Sequence, residues 1–229
     1  MKIGIMQPYF LPYIGYWQLM NAVDEYVVLD EVNYIKGGWI NRNRILVNNQ
    51  PHMLSLPLEK ASSFKKINET NLQGIPDKIE KTIEFAYHKA PYYKETKHLV
   101  DQVLSCSETN LSKFLLNSIK LIAVRLDIQT KILLSSELDH DPTCKGQDRV
   151  LDICRREGAR VYLNAIGGQT LYSRESFADQ GIQLGFVKPT LLPYPQFGGP
   201  FVPGLSILDF LMFNNPNEVA KHLSSFEVI

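Results

Sequence analysis

The chain has 229 residues, 45% of them hydrophobic and 21% charged, which is typical of a globular protein that can bury a sizeable core. Its 24 basic and 24 acidic residues give a formal net charge of zero, which argues against binding nucleic acid or an anionic membrane through bulk charge. Because no apolar run is long enough for a membrane span and no signal-peptide pattern is present, we predict a cytoplasmic protein.

The opening segment combines a strand, a stiff loop and a helix. The apolar run from Ile3 to Met6 predicts a strand, which should end near Gln7 because prolines at 8 and 12 cannot donate ladder hydrogen bonds. A helix is predicted from Tyr13 to Ala22, with its free N–H groups facing the carboxyl end of the strand, an arrangement that suits an anion. The candidate ligand contacts in this segment are Gln7, Tyr9, Tyr13 and Tyr16.

A second buried strand is predicted from Glu25 to Val32, and it ends in the carboxylates of Asp30 and Glu31. Asp30 is a candidate general base at this edge of the sheet. The alternative is structural: the two carboxylates cap the next loop or pair with nearby arginines.

The segment from Asn33 to Arg44 (NYIKGGWINRNR) interleaves basic, aromatic and amide side chains. Arginine offers a planar fork for phosphate or carboxylate, and tryptophan offers a face for stacking. We predict that this segment faces a ligand, although a charge cluster of this kind is commonly a solvated surface. The candidate contacts are Lys36, Trp39, Asn41, Arg42, Asn43 and Arg44.

The middle of the chain predicts packing elements. A hairpin is expected from Ile45 to Leu58, a short strand from Lys66 to Glu69, and helices from Pro76 to His88, then to Leu104, and from Asn110 to Leu126. His88 at a helix end is either a base or an ordinary C-terminal histidine. The five histidines of the chain are scattered, so no metal site is predicted.

The last hundred residues return to alternating strands and helices. Strands are predicted at 130–135, 160–164 and 182–187, and helices at 148–157 and 173–179. The strand that ends at Asn164 runs into a glycine loop, and Asn164 and Gly168 are its candidate ligand contacts because a glycine backbone allows close approach of a phosphate or sugar. The alternative is that the two glycines make an ordinary turn. The proline-rich stretch 191–204 predicts an ordered covering loop, and its candidate contacts are Tyr194 and Gln196.

A helix is predicted from Ser206 to Asn214, and its first residues allow two interpretations. Ser206 is a natural N-cap, and Asp209 lies three residues later, where the acidic member of a capping box belongs. Capping alone would explain both residues. The alternative is that Ser206 contacts a ligand and Asp209 is a general base.

The order of these elements predicts one α/β domain over residues 1–229, with a mainly parallel sheet and helices on both faces. The hairpin and helices of residues 45–126 form an insertion. Three loops that follow strands should line one shared pocket: 7–12, 30–44 and 164–169.

Several motifs give the chain a resemblance to the WbqC-like family. They are MQPYFLPYIGYWQLM from Met6, VLDEV and KGGWINRNRI from Val28 and Lys36, then HKAPYY, RVLDICRREGARVYL and the closing YPQ…FVPGLSILDFLMFN. The resemblance covers essentially the whole chain. It implies a role in a bacterial gene cluster for O-antigen or another surface polysaccharide, but it implies no particular reaction.

A narrower similarity concerns α/β nucleotidylyltransferases, which place His-x-Gly-His at the start of the helix after the first strand. This chain has Tyr13-Ile14-Gly15-Tyr16 there. A tyrosine hydroxyl can donate to a phosphate oxygen, but it carries no positive charge at neutral pH. The fold could thus be related while nucleotidyl transfer is absent or altered.

We interpret the chain as a transferase that moves an acyl or aminoacyl group to the amine of a nucleotide-linked sugar. Its base would be Asp30 or Asp209, and backbone N–H groups at Tyr13 or Gly168 would stabilise the oxyanion. Two alternatives stay open: a non-catalytic protein that binds nucleotide-linked sugars, and an enzyme that activates an amino acid with ATP. The sequence identifies no cofactor and leaves open an assembly of several copies.

Overall fold

The computed structural model describes residues 1–229 and contains ten strands and eight α-helices. The strands are β1 (Lys2–Met6), β2 (Glu25–Val28), β3 (Arg42–Val47), β4 (Gln50–Ser55), β5 (Leu58–Glu59), β6 (Asn71–Leu72), β7 (Lys131–Leu134), β8 (Val161–Ala165), β9 (Gln183–Pro189) and β10 (Phe226–Val228). The helices are α1 (Ile14–Asn21), α2 (Asp77–Tyr87), α3 (Tyr93–Leu104), α4 (Leu111–Arg125), α5 (Gly146–Arg156), α6 (Arg174–Ala178), α7 (Ile207–Phe213) and α8 (Pro216–Leu223). None of the helices is long and apolar enough to cross a lipid bilayer.

Six strands form the central sheet, in the order β10-β9-β8-β1-β2-β7. All neighbouring pairs are parallel except β9 and β10, which are antiparallel. The predicted mixed α/β class with a mainly parallel sheet is therefore confirmed. The edge strand β10 was not predicted, because its three residues are too few to show a periodic pattern.

Helices cover both faces of the sheet, as predicted. Consecutive residues of β2 point to opposite faces: Val27 packs in a core with α5 and α6, whereas Tyr26 and Val28 pack in the larger core with α1, α7 and α8. Such a strand is apolar throughout, which explains why it is recognisable without an alternating pattern.

Residues 29–130 separate β2 from its sheet neighbour β7 and form the hairpin β3–β4 and helices α2 to α4. The hairpin turns at Asn48 and Asn49, whose φ angles of 50° and 60° suit a tight primed turn. It begins at Arg42 instead of Ile45, so both predicted ligand arginines lie on a strand. The division of the chain at residues 45 and 126 stays a prediction.

Two predicted strand segments are wrong in detail. β2 ends at Val28, because the Asp30 N–H donates to the Ser135 hydroxyl at 3.2 Å instead of continuing a ladder. Residues Ile67–Glu69 form a 3₁₀ turn in place of a strand. The Glu69 carboxylate accepts a 2.9 Å hydrogen bond from the Lys66 N–H and closes this turn locally.

The connections from the two central strands β1 and β8 run in opposite directions across the sheet. From β1 the chain passes through α1 to β2, and from β8 it passes through α6 to β9 on the other side. In open α/β sheets, ligands bind at the carboxyl ends of strands beside the point where connections diverge in this way. The loop after β1 is thus the place where the fold itself favours a site.

Candidate functional site

A cleft of about 190 Å³ lies between the loop after β1, the strand β3 and the loop before α7. We call it the aromatic–arginine cleft, and its lining residues are Tyr9, Pro12, Tyr13, Trp39, Asn43, Arg44 and Gly204. Five of the seven were predicted ligand contacts: Tyr9, Tyr13, Trp39, Asn43 and Arg44. The structure therefore brings the first two predicted ligand segments together at one place.

The loop after β1 is held in shape by Asn43. Its amide group donates to the carbonyls of Phe10 at 3.0 Å and Leu11 at 2.8 Å. Leu11 has a φ of 47°, a left-handed conformation that is unfavourable for a leucine and needs such support. Asn43 is buried, so it contributes to the cleft mainly by fixing the loop that carries Tyr9 and Tyr13.

Arg44 is the cationic group of the cleft. Its guanidinium lies 5.4 Å from the centre of the Trp39 ring, and one terminal nitrogen donates to the Gly204 carbonyl at 3.2 Å. The Nε atom is buried and has no hydrogen-bond partner. Trp39 remains 40% exposed at the rim. A cation with an unused donor beside an open aromatic face is suited to an anionic group attached to a ring.

Tyr9 and Tyr13 supply hydroxyl groups to the same cleft. Burial raises the pKa of both phenols, and for Tyr9 the neighbouring Tyr13 raises it further, so both act as neutral donors. The Tyr13 ring lies directly over Gly15: a Cβ atom on Gly15 would be 2.5 Å from it. The glycine of the Tyr-Ile-Gly-Tyr motif thus makes room for the first tyrosine.

Other residues of the same predicted segment shape the loop instead. The Arg42 guanidinium donates to the carbonyls of Gly37 and Gly38, and the Asn41 amide donates to the Leu56 carbonyl at 2.8 Å. Lys36 is exposed and is not part of the cleft lining. The geometry thus gives Arg42 and Asn41 a structural role beside the cleft.

Tyr16 and Gln7 meet at the end of β1. Tyr16 is buried among aromatic rings, and burial raises its pKa far above its usual value. Its hydroxyl donates to the backbone carbonyl of Gln7 at 3.3 Å. Tyr16 therefore lies beneath the site as a packing residue, and Gln7, half-buried, lies between β1 and the cleft.

Asp30 is a buried and fully hydrogen-bonded carboxylate. It accepts from the hydroxyls of Ser112, Ser135 and Ser136 at 2.8 to 2.9 Å and from the Ser136 N–H at 3.1 Å. These donors come from α4 and from the turn after β7, so Asp30 joins the insertion to the sheet. A carboxylate with no free lone pair is a poor general base, which argues against the catalytic role predicted for it.

Asp209 is also buried, and its carboxylate is the centre of a second network. It accepts from the hydroxyls of Tyr87 at 2.9 Å and Tyr194 at 2.7 Å and from the Gln196 amide at 2.5 Å. Burial raises the pKa of Asp209 despite these donors. The capping-box interpretation is therefore wrong, because the Ser206 N–H donates to the Arg44 carbonyl and not to the Asp209 carboxylate. The three donors on Asp209 also argue against a base role.

Ser206 is the N-cap of α7, as predicted, and its hydroxyl accepts from the Leu208 N–H at 3.2 Å. Its own N–H donates to the Arg44 carbonyl at 2.8 Å, which joins the helix start to β3. Tyr194 and Gln196 both donate hydrogen bonds to the Asp209 carboxylate, and these bonds hold the loop of residues 191–204 against α7.

The third predicted loop does not reach the cleft lining. The Asn164 amide donates to the hydroxyls of Tyr162 and Tyr172, and its oxygen accepts from the Ala165 N–H at 2.7 Å. A Cβ atom on Gly168 would be 2.8 Å from the Asn164 side-chain oxygen, so these two residues pack together. They form a separate polar cluster at the end of β8.

Pro12 and Gly204 line the cleft as well. Neither was named as a candidate contact, although both lie in loops predicted to line or cover the site, 7–12 and 191–204. The sequence analysis also missed one partly buried pair. Glu31 forms a 2.5 Å contact with the His140 ring, a pairing of residues 109 positions apart that no local pattern indicates.

The protein is of the mixed α/β class with a mainly parallel sheet. Its candidate site combines an arginine and three aromatic side chains at the carboxyl end of the first strand. Residues 7–221 match the WbqC-like protein family, and the chain belongs to that family. It is also 28% identical over 227 residues to an uncharacterised protein of Mycobacterium tuberculosis, Rv1507c, with 97% of each chain covered. The predicted family resemblance is thereby confirmed.

Proposed function

We propose that the protein binds a nucleotide-linked sugar in the aromatic–arginine cleft and serves in the synthesis of a bacterial surface polysaccharide. The observation that carries this proposal is Arg44, whose guanidinium lies on Trp39 with a buried Nε that has no partner. Leaving a buried donor unpaired is unfavourable, so an anionic oxygen of a ligand would relieve it.

The size of the cleft limits what it holds. Its volume of about 190 Å³ is smaller than the roughly 300 to 1,000 Å³ of pockets that enclose a whole small molecule. We infer that it takes one ring and one adjoining phosphate, with the ring on Trp39 and the phosphate on Arg44. The remainder of a nucleotide-linked sugar would lie along the open rim.

The reaction proposed for this ligand is acyl or aminoacyl transfer to a sugar amine. That part rests on the polysaccharide context of the resemblance and not on a catalytic constellation. A non-catalytic binding role is the second candidate, and a specific observation favours it: neither Asp30 nor Asp209 lies in the cleft lining, and both are hydrogen-bonded elsewhere.

The test is a thermal-shift screen of UDP-, GDP- and dTDP-linked sugars, ATP, coenzyme A and amino acids. A ligand at a hundred times its Kd adds about 2.7 kcal/mol of stability, which corresponds to a rise of about 5–10 °C in Tm for a chain of this size. We expect such a rise with a nucleotide-linked sugar. Absence of any shift with all nucleotides would remove the proposal.

Arg44→Met is the decisive variant, because methionine keeps the apolar stem and removes the guanidinium. We expect affinity for the active ligand to fall at least about tenfold. The matched control is Arg174→Met, since Arg174 also lies 5.5 Å from an aromatic ring and donates to a backbone carbonyl, but outside the cleft. Equal losses in the two variants would contradict the assignment.

Turnover separates the transferase from the binding role and from the third alternative, an enzyme that activates an amino acid with ATP. The bound sugar would be incubated with acyl-coenzyme A donors, and with ATP plus amino acids, and analysed for an acylated sugar and for released pyrophosphate. An acylated sugar supports the transferase, and pyrophosphate supports ATP-dependent activation. Tight binding without any product supports the binding role.

A further inference from the structure

A small apolar cavity adjoins the aromatic–arginine cleft. It measures about 20 Å³, and seven of its nine lining residues are hydrophobic. Gly204 lines both spaces, and the consecutive residues Tyr13 and Ile14 line one each. The two spaces therefore lie on either side of Gly204, close enough for one ligand to occupy both.

The walls of this cavity offer almost no polar group to a ligand. Ile14 comes from the start of α1, Leu192 and Phe201 from the covering loop, and Leu205 and Phe210 from the segment that begins α7. The hydroxyl of Tyr194, which also lines it, is already used by Asp209 at 2.7 Å. The cavity thus favours an apolar group.

His222 is the polar exception in this wall. It is 4% exposed and packs between Phe210, at 5.0 Å between ring centres, and Tyr194, at 6.1 Å. The nearest carboxylate, Glu218, lies 3.9 Å from its Nε2, beyond hydrogen-bond distance. Burial lowers the pKa of His222, so the imidazole is neutral and offers one donor and one acceptor nitrogen.

The volume limits the apolar group to a small one. A cavity needs roughly 10 to 15 Å³ to hold a single water molecule, so about 20 Å³ accommodates a methyl group but no longer chain. A ligand group that fits this cavity would combine a methyl group with a neighbouring polar group that can hydrogen-bond to His222. A short amide such as an acetamido group has both.

We propose that this cavity is a subsite for a small acyl group, of the acetamido class, on the ligand of the aromatic–arginine cleft. The inference rests on the proposed function and narrows its ligand to an N-acylated amino sugar. The methyl group enters between Leu192 and Leu205, and the amide contacts His222. The acylated sugar is then a substrate, or the product of the proposed transfer.

The experiment measures Kd by calorimetry for UDP-glucosamine, UDP-N-acetylglucosamine and UDP-N-butyrylglucosamine. Burial of one methyl group and one added hydrogen bond predicts that the N-acetyl compound binds about tenfold to fiftyfold more tightly than the free amine. The N-butyryl compound should bind more weakly than the N-acetyl compound, because its chain exceeds the cavity.

Leu192→Phe, which adds volume at the cavity, should abolish this preference. The matched control is Leu171→Phe, since Leu171 is 67% exposed and lines neither space. Ile14→Phe fills the cavity from the start of α1 and should have the same effect. The Tm of each variant without ligand shows that it is folded.

The possible outcomes separate the subsite from the cleft. Equal Kd values for all three compounds, or a preference that survives both filling variants, would overturn the subsite, while a loss of binding in Arg44→Met would still support the cleft. Binding of none of the three compounds would overturn the subsite as well as this choice of ligand.

Discussion

At the scale of single residues, two arginines on one strand have different partners. Arg42 and Arg44 lie two positions apart on β3, so their side chains leave the same face. The Arg42 guanidinium donates to carbonyls of the loop at 37–38, whereas Arg44 lies on Trp39 with an unused donor. Residue type alone did not distinguish them, because the difference depends on where the loop closes.

Arg42→Met should therefore weaken ligand binding only indirectly, through the loop that leads to Trp39. We expect a loss of about fivefold or less, since a typical hydrogen bond to a backbone carbonyl contributes about 1 kcal/mol net. Calorimetric titration beside Arg44→Met measures the difference. A larger loss in Arg42→Met than in Arg44→Met would mean that Arg42 contacts the ligand itself.

Asp30→Asn tests whether a buried carboxylate is structural. An amide cannot accept all four hydrogen bonds, so we expect the free energy of unfolding to fall by about 1–3 kcal/mol. Urea unfolding measures this, with Asp179→Asn as an exposed control that should change it by less than about 0.5 kcal/mol. Unchanged stability together with lost turnover would restore the base role.

At the scale of elements, the start of α1 couples helix geometry to the cleft. Gly15→Ala places a Cβ atom where the Tyr13 ring now lies, so the tyrosine must move, while alanine is the better helix former by roughly 0.5–1 kcal/mol. We expect stability to change by less than about 1 kcal/mol and ligand affinity to fall. Thermal melting and titration measure the two quantities separately.

Tyr13→Phe is the companion variant, because it keeps the ring and removes only the hydroxyl. If Tyr13 donates to the ligand, Tyr13→Phe and Gly15→Ala should both lose affinity. Full affinity in both would place Tyr13 outside the binding contacts, although it lines the cleft.

At the scale of the whole molecule, Asp209 connects regions that are distant in the chain. Its carboxylate joins α7 to α2 through Tyr87 and to the covering loop through Tyr194 and Gln196, while the Tyr87 hydroxyl accepts from the Leu46 N–H of β3 at 2.9 Å. This network holds the covering loop above the sheet. The cleft and its apolar neighbour therefore depend on a group that touches neither ligand space.

Asp209→Asn should destabilise the protein in a pH-dependent manner. Burial raises the folded-state pKa of Asp209 above its usual 3.8, so the folded state binds more protons and wild-type stability from this group declines as pH rises above about 4. The difference in unfolding free energy between wild type and variant should thus shrink as pH rises from about 4 through the raised folded-state pKa. Urea unfolding at several pH values measures it, and a difference that grows with pH would contradict the raised pKa.

The sequence by itself determined the elements and the family. Apolar strands such as Ile3–Met6, prolines that end them and helix periods are local features, so the parallel α/β class and the candidate segment around Trp39 could be read directly. The family motifs are equally local. Short or irregular pieces were missed or misassigned because partners from elsewhere in the chain help to fix them: β10 pairs with β9, and the Ile67 N–H donates to the Val32 carbonyl.

Only the tertiary structure decided which polar side chains are free to act. Asp30 and Asp209 read as equally available carboxylates, but Asp30 accepts four hydrogen bonds and Asp209 three, from donors up to 122 residues away in sequence. Arg44 was one of three cations, and its place beside Gly204 depends on the chain returning after 160 residues. A hydrogen-bond partner is set by distance in space, and a chain long enough to fold back brings together partners that no local pattern records.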